Sequence, residues 1–179
     1  MGRPPDPARK AELLDAAVDY VFRHGLAGLS LRPLASALET SSRMLVYHFG
    51  GKEELISQIV QAVRARFQGM LDELAPRRGD RLAVLDTAWR LMSAPEAAPF
   101  FRFFFEVYGL ALREPVRYQG FLEHVVADWL RVLGGDAQAT ALVALVRGLL
   151  LDLVSTGDRA RVEAAYRWAR SSLAANREP

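Results

Sequence analysis

The chain has 179 residues, 51% of them hydrophobic, which suffices for one domain of ordinary size or for a small N-terminal domain joined to a larger body. Cysteine is absent from the sequence, which excludes disulfides and thiolate chemistry. The net charge of +2 is too small to indicate nucleic-acid binding by itself, but the excess lies within residues 1–52, which hold seven basic and five acidic side chains.

The sequence gives no sign of a membrane protein. No apolar segment at the N-terminus resembles a secretion signal. The longest apolar run, residues 139–154, is interrupted by Arg147 and Asp152, which argues against a membrane span. We therefore expect a cytoplasmic protein with no membrane partner.

The first predicted helix begins at Asp6, a favourable N-cap residue, with Pro7 at the first helical position. Apolar residues recur at helical spacing up to His24, and Gly25 suits the C-cap. The next stretch predicts two short helices, Leu31–Leu38 and Ser42–His48, separated by a break at Glu39–Thr40.

A longer helix is predicted to open after Gly50–Gly51. Two short helices joined by a turn of a few residues form the geometry that places the second helix in a DNA major groove. The order of these elements therefore favours a helix-turn-helix head.

The rest of the chain also predicts helices. Apolar stripes at helical spacing run from Lys52 to Leu74 and from Leu82 to Met92, and further helical stretches cover about 100–113, 115–133, 136–156 and 158–176. No segment alternates with period two between turn residues, so we expect no sheet. The predicted fold is all-α, with an N-terminal three-helix helix-turn-helix head and a C-terminal helical bundle body, about nine helices in all.

The second short helix should present one face to DNA. Helical periodicity places Leu45 inward, against the rest of the head. The side chains that face outward are Ser42, Arg43 and Tyr47, with Val46 as a further candidate. Arg43 can donate a bidentate pair to guanine, and Ser42 can contact several base edges. Tyr47 can pack on a thymine methyl group or bond a phosphate.

Two more residues are candidates for phosphate contacts. Lys52 lies beside the predicted N-terminus of the long helix, whose backbone N–H groups favour an anion. His48 has two open interpretations: it is a phosphate donor, or it is a structural histidine bonded within the head.

Three strings carry a family resemblance. They are Leu34-Ala35 with Leu38, then SSRMLVYHF at 41–49, then KEEL at 52–55. In this order they resemble the head of the tetracycline-repressor (TetR/AcrR) family of transcriptional regulators, over about residues 9–60. The resemblance implies a homodimer that binds a palindromic double-stranded DNA operator and responds to a small effector molecule.

The head departs from the family pattern at three places. Glu39–Thr40 stands where the family commonly has Gly-Val, which predicts a turn without a left-handed residue. Val46 stands where a phosphate-contacting Tyr is usual. Gly51 replaces a Ser cap, at a cost of about a few tenths of a kcal/mol.

The resemblance adds Arg32, which matches a family position that reaches a base or the DNA backbone. The predicted DNA-binding set is then Arg32, Ser41, Ser42, Arg43, Tyr47, His48 and Lys52. We assign residues 1–51 to the DNA-binding domain and residues 52–179 to a ligand-binding and dimerisation domain.

One helix of the body carries five phenylalanines in six positions, residues 100–105. Packing in the core explains most of them, but rings on every side of one helix also predict an apolar cavity with a few polar groups, as a small-molecule site requires. The resemblance implies that this region is the effector pocket, for a small apolar or aromatic molecule. The predicted lining is Trp89, Arg102, Phe103, Phe104, Glu106, Tyr108, Tyr118 and Trp129.

The last two helices predict a dimer interface. The helix over 136–156 is apolar nearly all round, which requires a further covering layer, and the helix over 158–176 carries a single apolar stripe. Two such helices from each of two chains would form a four-helix interface. The predicted contacts are Leu142, Leu145, Leu149, Val162, Tyr166, Trp168, Ala169 and Leu173. For Asp152 we expect a paired structural carboxylate, with Arg147 or an Arg of the last helix as its partner.

Other classes of function find little support. Gly51-Lys52 lacks the flanking residues of a phosphate loop. His124 and Asp128 share a helix face, but two ligands do not make a metal site, and an exposed pair is the simpler interpretation. We predict no enzyme activity, no metal and no cofactor. The alternatives are a helical small-molecule carrier or a helical enzyme without DNA binding, neither of which would be retained on DNA in a salt-dependent way.

Overall fold

The computed structural model describes residues 6–74 and 79–175. Ten α-helices and one short 3-10 helix make up the regular structure of these residues, and no strand occurs among them, which confirms the all-α prediction. The helices are α1 (Pro7–His24), α2 (Leu31–Ala37), α3 (Ser42–Phe49), α4 (Lys52–Leu74), α5 (Arg81–Met92), α6 (Ala98–Arg113), α7 (Gln119–His124), α8 (Ala127–Leu133), α9 (Ala137–Thr156) and α10 (Arg159–Ala175), with the 3-10 helix Pro95–Ala97 before α6.

The first helix begins and ends at the predicted signals. The Asp6 carboxylate accepts a hydrogen bond from the backbone N–H of Ala8 at 3.0 Å, and Pro7 opens the helix. Gly25 ends it with a φ of 78°, and its N–H donates to the carbonyl of Val21 at 2.8 Å. Local capping chemistry therefore sets both ends of α1.

The turn between α2 and α3 differs from the prediction. Glu39 has a φ of 50°, so the expectation of a turn without a left-handed residue is wrong. Thr40 N–H donates to the carbonyl of Ala35 at 2.9 Å, and Glu39 N–H donates to the carbonyl of Ser36 at 3.3 Å. These two bonds form a Schellman motif, whose left-handed position glycine normally occupies. They hold a glutamate in a conformation that costs an L-residue about 1–2 kcal/mol.

The compact N-terminal unit extends through most of α4, as far as Gly69. Leu55 and Ile59 of α4 are fully buried, and Arg66 pairs with Asp15 of α1 at 2.9 Å. The beginning of α4 therefore belongs structurally to the head. The functional boundary after residue 51 stays a prediction.

The second compact unit begins at Met70 and is organised around α9. This helix contacts α5, α6, α8 and α10. By length and composition alone α9 could cross a membrane, but a core helix of a soluble protein passes the same test. Its carboxylate Asp152 accepts two hydrogen bonds of 2.6 Å from Arg161 of α10, which confirms the predicted pairing with an arginine of the last helix.

The expected continuous helix over 115–133 is wrong, because α7 and α8 are separate. Arg147 of α9 donates a hydrogen bond of 3.0 Å to the carbonyl of Val125, the acceptor that a continuing helix would offer to Trp129. The N–H of Trp129 bonds the carbonyl of Val126 instead, at 3.0 Å. A side chain 22 residues away in the sequence therefore helps to break the helix.

Arg81, at the start of α5, ties that helix to the loop between α8 and α9. Its guanidinium donates to the carbonyl of Leu133 at 2.9 Å and to the side chains of Gln138 and Asp136 at 2.6 Å each. Gly134 in this loop has a φ of 93°, and a Cβ added there would lie 2.9 Å from Nη2 of Arg81. The backbone conformation requires glycine at this position, and a Cβ there would also displace the Arg81 guanidinium.

Candidate nucleic-acid interface

The candidate interface centres on α3, the second helix of the predicted pair. Its N-cap is Ser41, and the Ser41 hydroxyl oxygen accepts a hydrogen bond from Met44 N–H at 3.2 Å. The hydroxyl proton of Ser41 stays available to donate to a phosphate or a base. The cap therefore fixes the start of α3 at the point where the predicted contact residues begin.

The two faces of α3 differ sharply in burial. Leu45 is completely buried, as its helical position predicts, and Phe49 is buried beside it. Arg43 is exposed, and Tyr47 is 44% exposed. The side chains suited to read base edges thus lie on the accessible face of the helix.

One exposed residue of this face is absent from the predicted set. Met44 is 40% exposed and lies three residues before Tyr47, so the two side chains share a face of α3. The spacing of three residues from Tyr47 is the feature of the sequence that indicates Met44 as a member of the DNA-contacting face. Val46 is also exposed, in agreement with its assignment as a further outward residue.

Two more cations border this face. Arg32 lies in the first turn of α2 and Lys52 opens α4, and both side chains are exposed. Within the described residues neither Arg32, Arg43 nor Lys52 forms an ion pair, so their charges are available to an anion. Glu53 and Glu54 occupy the first turn of α4 and reduce the positive potential beside Lys52.

His48 combines deep burial with an unsatisfied nitrogen. The residue is 6% exposed, and its Nδ1 has no hydrogen-bond partner among the described residues. Its ring contacts Tyr47 edge-on, with ring centroids 5.2 Å apart. A buried polar atom without a partner is uncommon in proteins, so its retention requires a reason other than packing alone.

A contact that the sequence did not indicate holds α3 against α1. The ammonium group of Lys10 lies 5.6 Å from the centroid of the Phe49 ring. This cation–π contact adds to the apolar packing that orients the reading helix.

In the body, the predicted pocket residue Trp89 contacts other side chains of the same subunit. Trp89 stacks on Tyr166 with ring centroids 4.6 Å apart, and its indole N–H donates to Glu163 at 3.1 Å. The Tyr166 hydroxyl donates to Asp86 at 2.7 Å. Burial, together with this bond, raises the pKa of Tyr166. Trp89 therefore joins α5 to α10.

The aromatic residues of α6 form a cluster with α7 and α9. The ring of Phe104 contacts those of Tyr108 and Phe121, at 5.9 Å and 5.6 Å between centroids. Arg147 donates to the Tyr108 hydroxyl at 3.3 Å and lies over its ring. Phe104 and Tyr108 are half-buried, so the cluster borders accessible space.

The other predicted pocket residues divide by exposure. Phe103, Tyr118 and Trp129 are buried, Glu106 is half-buried and Arg102 is exposed. Burial raises the pKa of the Tyr118 hydroxyl, which therefore stays a hydrogen-bond donor at neutral pH. Arg102 lines a cavity of about 170 Å³ at one end of α6.

The predicted dimer contacts also divide by exposure. The chain itself buries Leu142, Val162, Tyr166 and Ala169, and Val162 is 0% exposed, so these side chains pack within the subunit. Leu145, Leu149 and Leu173 are half-buried. Trp168 of α10 is 74% exposed, and Leu151 of α9, which was not predicted, is 48% exposed. On these two helices, the half-buried leucines together with Trp168 and Leu151 therefore form the surface that a partner could contact.

The interpretation of His124 and Asp128 as an exposed pair is wrong. Asp128 is 4% exposed and accepts a hydrogen bond from Arg131 at 2.7 Å, while His124 bonds the carbonyl of Gly120 at 2.8 Å. The break between α7 and α8 separates the two side chains. Among the described residues no cluster of three metal-ligating side chains is present.

Comparison with known proteins gives a family match to the head. Residues 13–59 match the family described as bacterial regulatory proteins, tetR family. The matched segment runs from within α1 to within α4 and contains α2, α3 and the exposed face of α3. No curated protein matches the chain.

Solved structures match nearly the whole chain. The multidrug-binding protein EbrR, crystallised with imidazole, is 25% identical over 93% of this chain and 90% of its own, with a TM-score of 0.68. A transcriptional-regulator candidate from Streptomyces coelicolor A3(2) is 23% identical over 81% of this chain and 86% of its own, with a TM-score of 0.65. The fatty acid degradation regulator FadR of Bacillus halodurans is 15% identical over 94% and 95% of the two chains, with a TM-score of 0.60. The last two matches concern the fold alone.

Proposed function

We infer that this chain, whose residues 13–59 match the tetR family of bacterial regulatory proteins, is a DNA-binding regulator of transcription. It binds a palindromic operator as a homodimer and acts as a repressor that a small effector releases. As a cytoplasmic, non-enzymatic regulator it would need no cofactor. The DNA partner, the effector and the second subunit are the three partners of this proposal.

The exposed face of α3 is the observation that carries the DNA-binding part. Arg43 and Tyr47 point away from the buried Leu45, and Arg43 has no ion-pair partner among the described residues. A bidentate arginine on a major-groove helix contributes about 1–3 kcal/mol of discrimination against a wrong base. Lys52 at the N-terminus of α4 supplies a phosphate contact that fixes the register.

Selection of bound fragments from a random DNA pool tests this proposal. A homodimer should recover an inverted repeat whose half-sites are about 34–36 Å apart, or a multiple of this distance. Recovery of a single, asymmetric half-site would contradict the homodimer. Binding without any enriched motif would contradict sequence-specific regulation.

Two substitutions on the head separate base reading from phosphate binding. Arg43→Ala should cost about 1–3 kcal/mol on the selected operator and relax the preference at one base position. Lys52→Ala should weaken all DNA similarly and lower the salt slope by about one unit. Arg90→Ala is the matched control, because Arg90 is an exposed arginine of α5 and its loss changes the net charge equally. If Arg43→Ala binds the operator as tightly as Arg90→Ala does, the reading face is misassigned.

Trp168 gives the sharpest test of the homodimer. Because its side chain is largely exposed, Trp168→Arg should leave the subunit folded while it places a charge in the proposed interface. Sedimentation should then show a shift from dimer toward monomer together with weaker operator binding. Leu149→Arg, at a half-buried position, should have the same effect but also lower the stability of the subunit. An unchanged dimer in both variants would remove α9 and α10 from the interface.

The ligand response is proposed for the aromatic cluster of α6. Its half-buried rings, with Arg147 held against Tyr108, offer apolar surface and a few polar groups to a small apolar or aromatic molecule. The structural similarity to a multidrug-binding protein supports a ligand-binding body. Effector binding would change the separation of the two α3 helices, and half-sites at a fixed spacing then lose register.

A further inference from the structure

A cavity of about 170 Å³ lies in the second compact unit where the ends of four helices meet. A void of about 150 Å³ already accommodates a benzene molecule, so this volume suits one ring or a short chain. Apart from Arg102, the lining residues are different from those of the aromatic cluster. The cavity is lined by Met92, Ser93, Ala94, Ala98, Arg102, Leu153, Val154, Gly157 and Arg159.

Ser93 supplies a polar group inside this cavity. The residue is 5% exposed, and its hydroxyl makes no hydrogen bond with any described residue. The hydroxyl oxygen itself is not completely buried, so it can donate or accept a hydrogen bond. Since Ser93 lines the cavity, a bound molecule can provide the partner for this bond.

Arg102 supplies an uncompensated charge. Its side chain is exposed at the cavity, and within the described part of the chain it forms neither an ion pair nor a hydrogen bond. The guanidinium presents a fork of donors that matches a carboxylate in two parallel hydrogen bonds.

The remaining charges are already paired. Arg159 donates to the carbonyl of Ser93 at 2.5 Å, and its other guanidinium nitrogen lies 3.5 Å from Glu163. The C-terminal ends of α5 and α9 also border the cavity and disfavour an anion, and the bond from Arg159 offsets this effect at Ser93. Arg159 therefore stabilises the position of Ser93 in the cavity wall, and Arg102 is the lining cation that can bind a ligand.

We propose that this cavity binds a small carboxylate that carries one aromatic ring or a short apolar chain. The carboxylate pairs with Arg102 and accepts a hydrogen bond from the Ser93 hydroxyl. The apolar part lies against Met92, Leu153 and Val154. This inference deepens the proposed ligand response of the body and rests on it for its regulatory meaning, whereas binding itself does not depend on DNA.

Titration calorimetry with benzoate tests the proposal, with benzamide as an uncharged molecule of the same shape. Benzoate should bind in a saturable way, and benzamide should bind at least about tenfold more weakly, because a charge-assisted bidentate pair is lost. Arg102→Gln should weaken benzoate by about tenfold and should leave benzamide unchanged. Ser93→Ala should weaken benzoate by a smaller factor. Arg113→Gln, an exposed arginine further along α6, is the matched control and should bind benzoate like the parent.

Three results would overturn the proposal. They are equal binding of benzoate and benzamide, unchanged benzoate binding by Arg102→Gln, and no saturable binding of benzoate to a folded protein. Operator binding is measured on the same samples, because failure of the cavity leaves DNA binding intact. If the parent protein binds benzoate but binds no DNA, the proposed function is contradicted and the cavity proposal is not.

Discussion

Replacement of Glu39 by glycine should stabilise the protein. Glu39 occupies the left-handed position of the Schellman motif that closes α2, at a φ of 50°. Glycine reaches this conformation without the contact between Cβ and the carbonyl oxygen that opposes it in L-residues. The two backbone hydrogen bonds of the motif, to Ala35 and Ser36, do not involve the Glu39 side chain and should persist in the variant.

The expected gain follows from two opposing quantities. Relief of the left-handed conformation contributes about 1–2 kcal/mol in favour of the folded state. The greater freedom of glycine in the unfolded chain takes back about 0.4–1 kcal/mol. The net stabilisation by Glu39→Gly is therefore about 1 kcal/mol, which corresponds to a rise of about 2–4 °C in Tm for a chain of this size.

Two control variants isolate the backbone effect. Glu39→Ala removes the same carboxylate but keeps a Cβ, so it should change the unfolding free energy by less than about 0.5 kcal/mol. Glu39→Asn should fall between the two, because asparagine tolerates the left-handed region better than most residues. The free energies come from guanidinium unfolding followed by circular dichroism. If alanine and glycine stabilise equally, the gain comes from removal of the charge and the backbone argument fails.

Three further predictions concern stability and the role of His48. His48→Phe keeps an aromatic ring and removes the unpartnered nitrogen, so it should raise the denaturant midpoint of the protein. It should also weaken operator binding about tenfold, because the imidazole can no longer contact DNA. Unchanged affinity for the operator would assign His48 to packing. Arg81→Ala removes three hydrogen bonds and should cost about 1–3 kcal/mol in urea unfolding, and a loss under about 0.5 kcal/mol would show that the bonds are not maintained in solution. Burial raises the pKa of Asp86, but hydrogen bonds from Arg170 and Tyr166 outweigh this effect and lower the pKa below its ordinary value. The stabilisation from Asp86 is therefore complete above its unfolded pKa and is lost as the pH falls through the lower folded pKa. Over this acid range the parent should lose more stability than Asp86→Asn, and parallel curves of stability against pH would contradict the assignment.

Features encoded in adjacent residues could be predicted from the sequence. The start of α1 follows from Asp6 and Pro7 and its end from Gly25, because capping depends on neighbours within one helical turn. The inward position of Leu45 and the outward position of Arg43 follow from the helical period. The candidate DNA-contacting face is therefore visible in the string around 41–49, although its contacts with DNA stay predictions.

Features set by distant residues could not be predicted. The break between α7 and α8 involves the bond from Arg147 to the carbonyl of Val125, and no local signal in 115–133 reveals that bond. The stacking of Trp89 on Tyr166 depends on how α5 meets α10. The left-handed Glu39 was missed for a different reason, since the residue expected in that conformation is glycine and the hydrogen bonds of the motif impose it on a glutamate.

The contact between Arg81 and Gly134 restricts how this protein can diverge. Position 134 is limited twice, by a φ of 93° and by the guanidinium that would lie 2.9 Å from any Cβ. The second restriction disappears in a homologue with a shorter side chain at position 81, but the first remains, because a φ of 93° with a ψ of 164° is a conformation that essentially only glycine adopts. Glycine should therefore persist at position 134 among descendants of this sequence, even where the arginine at position 81 is lost.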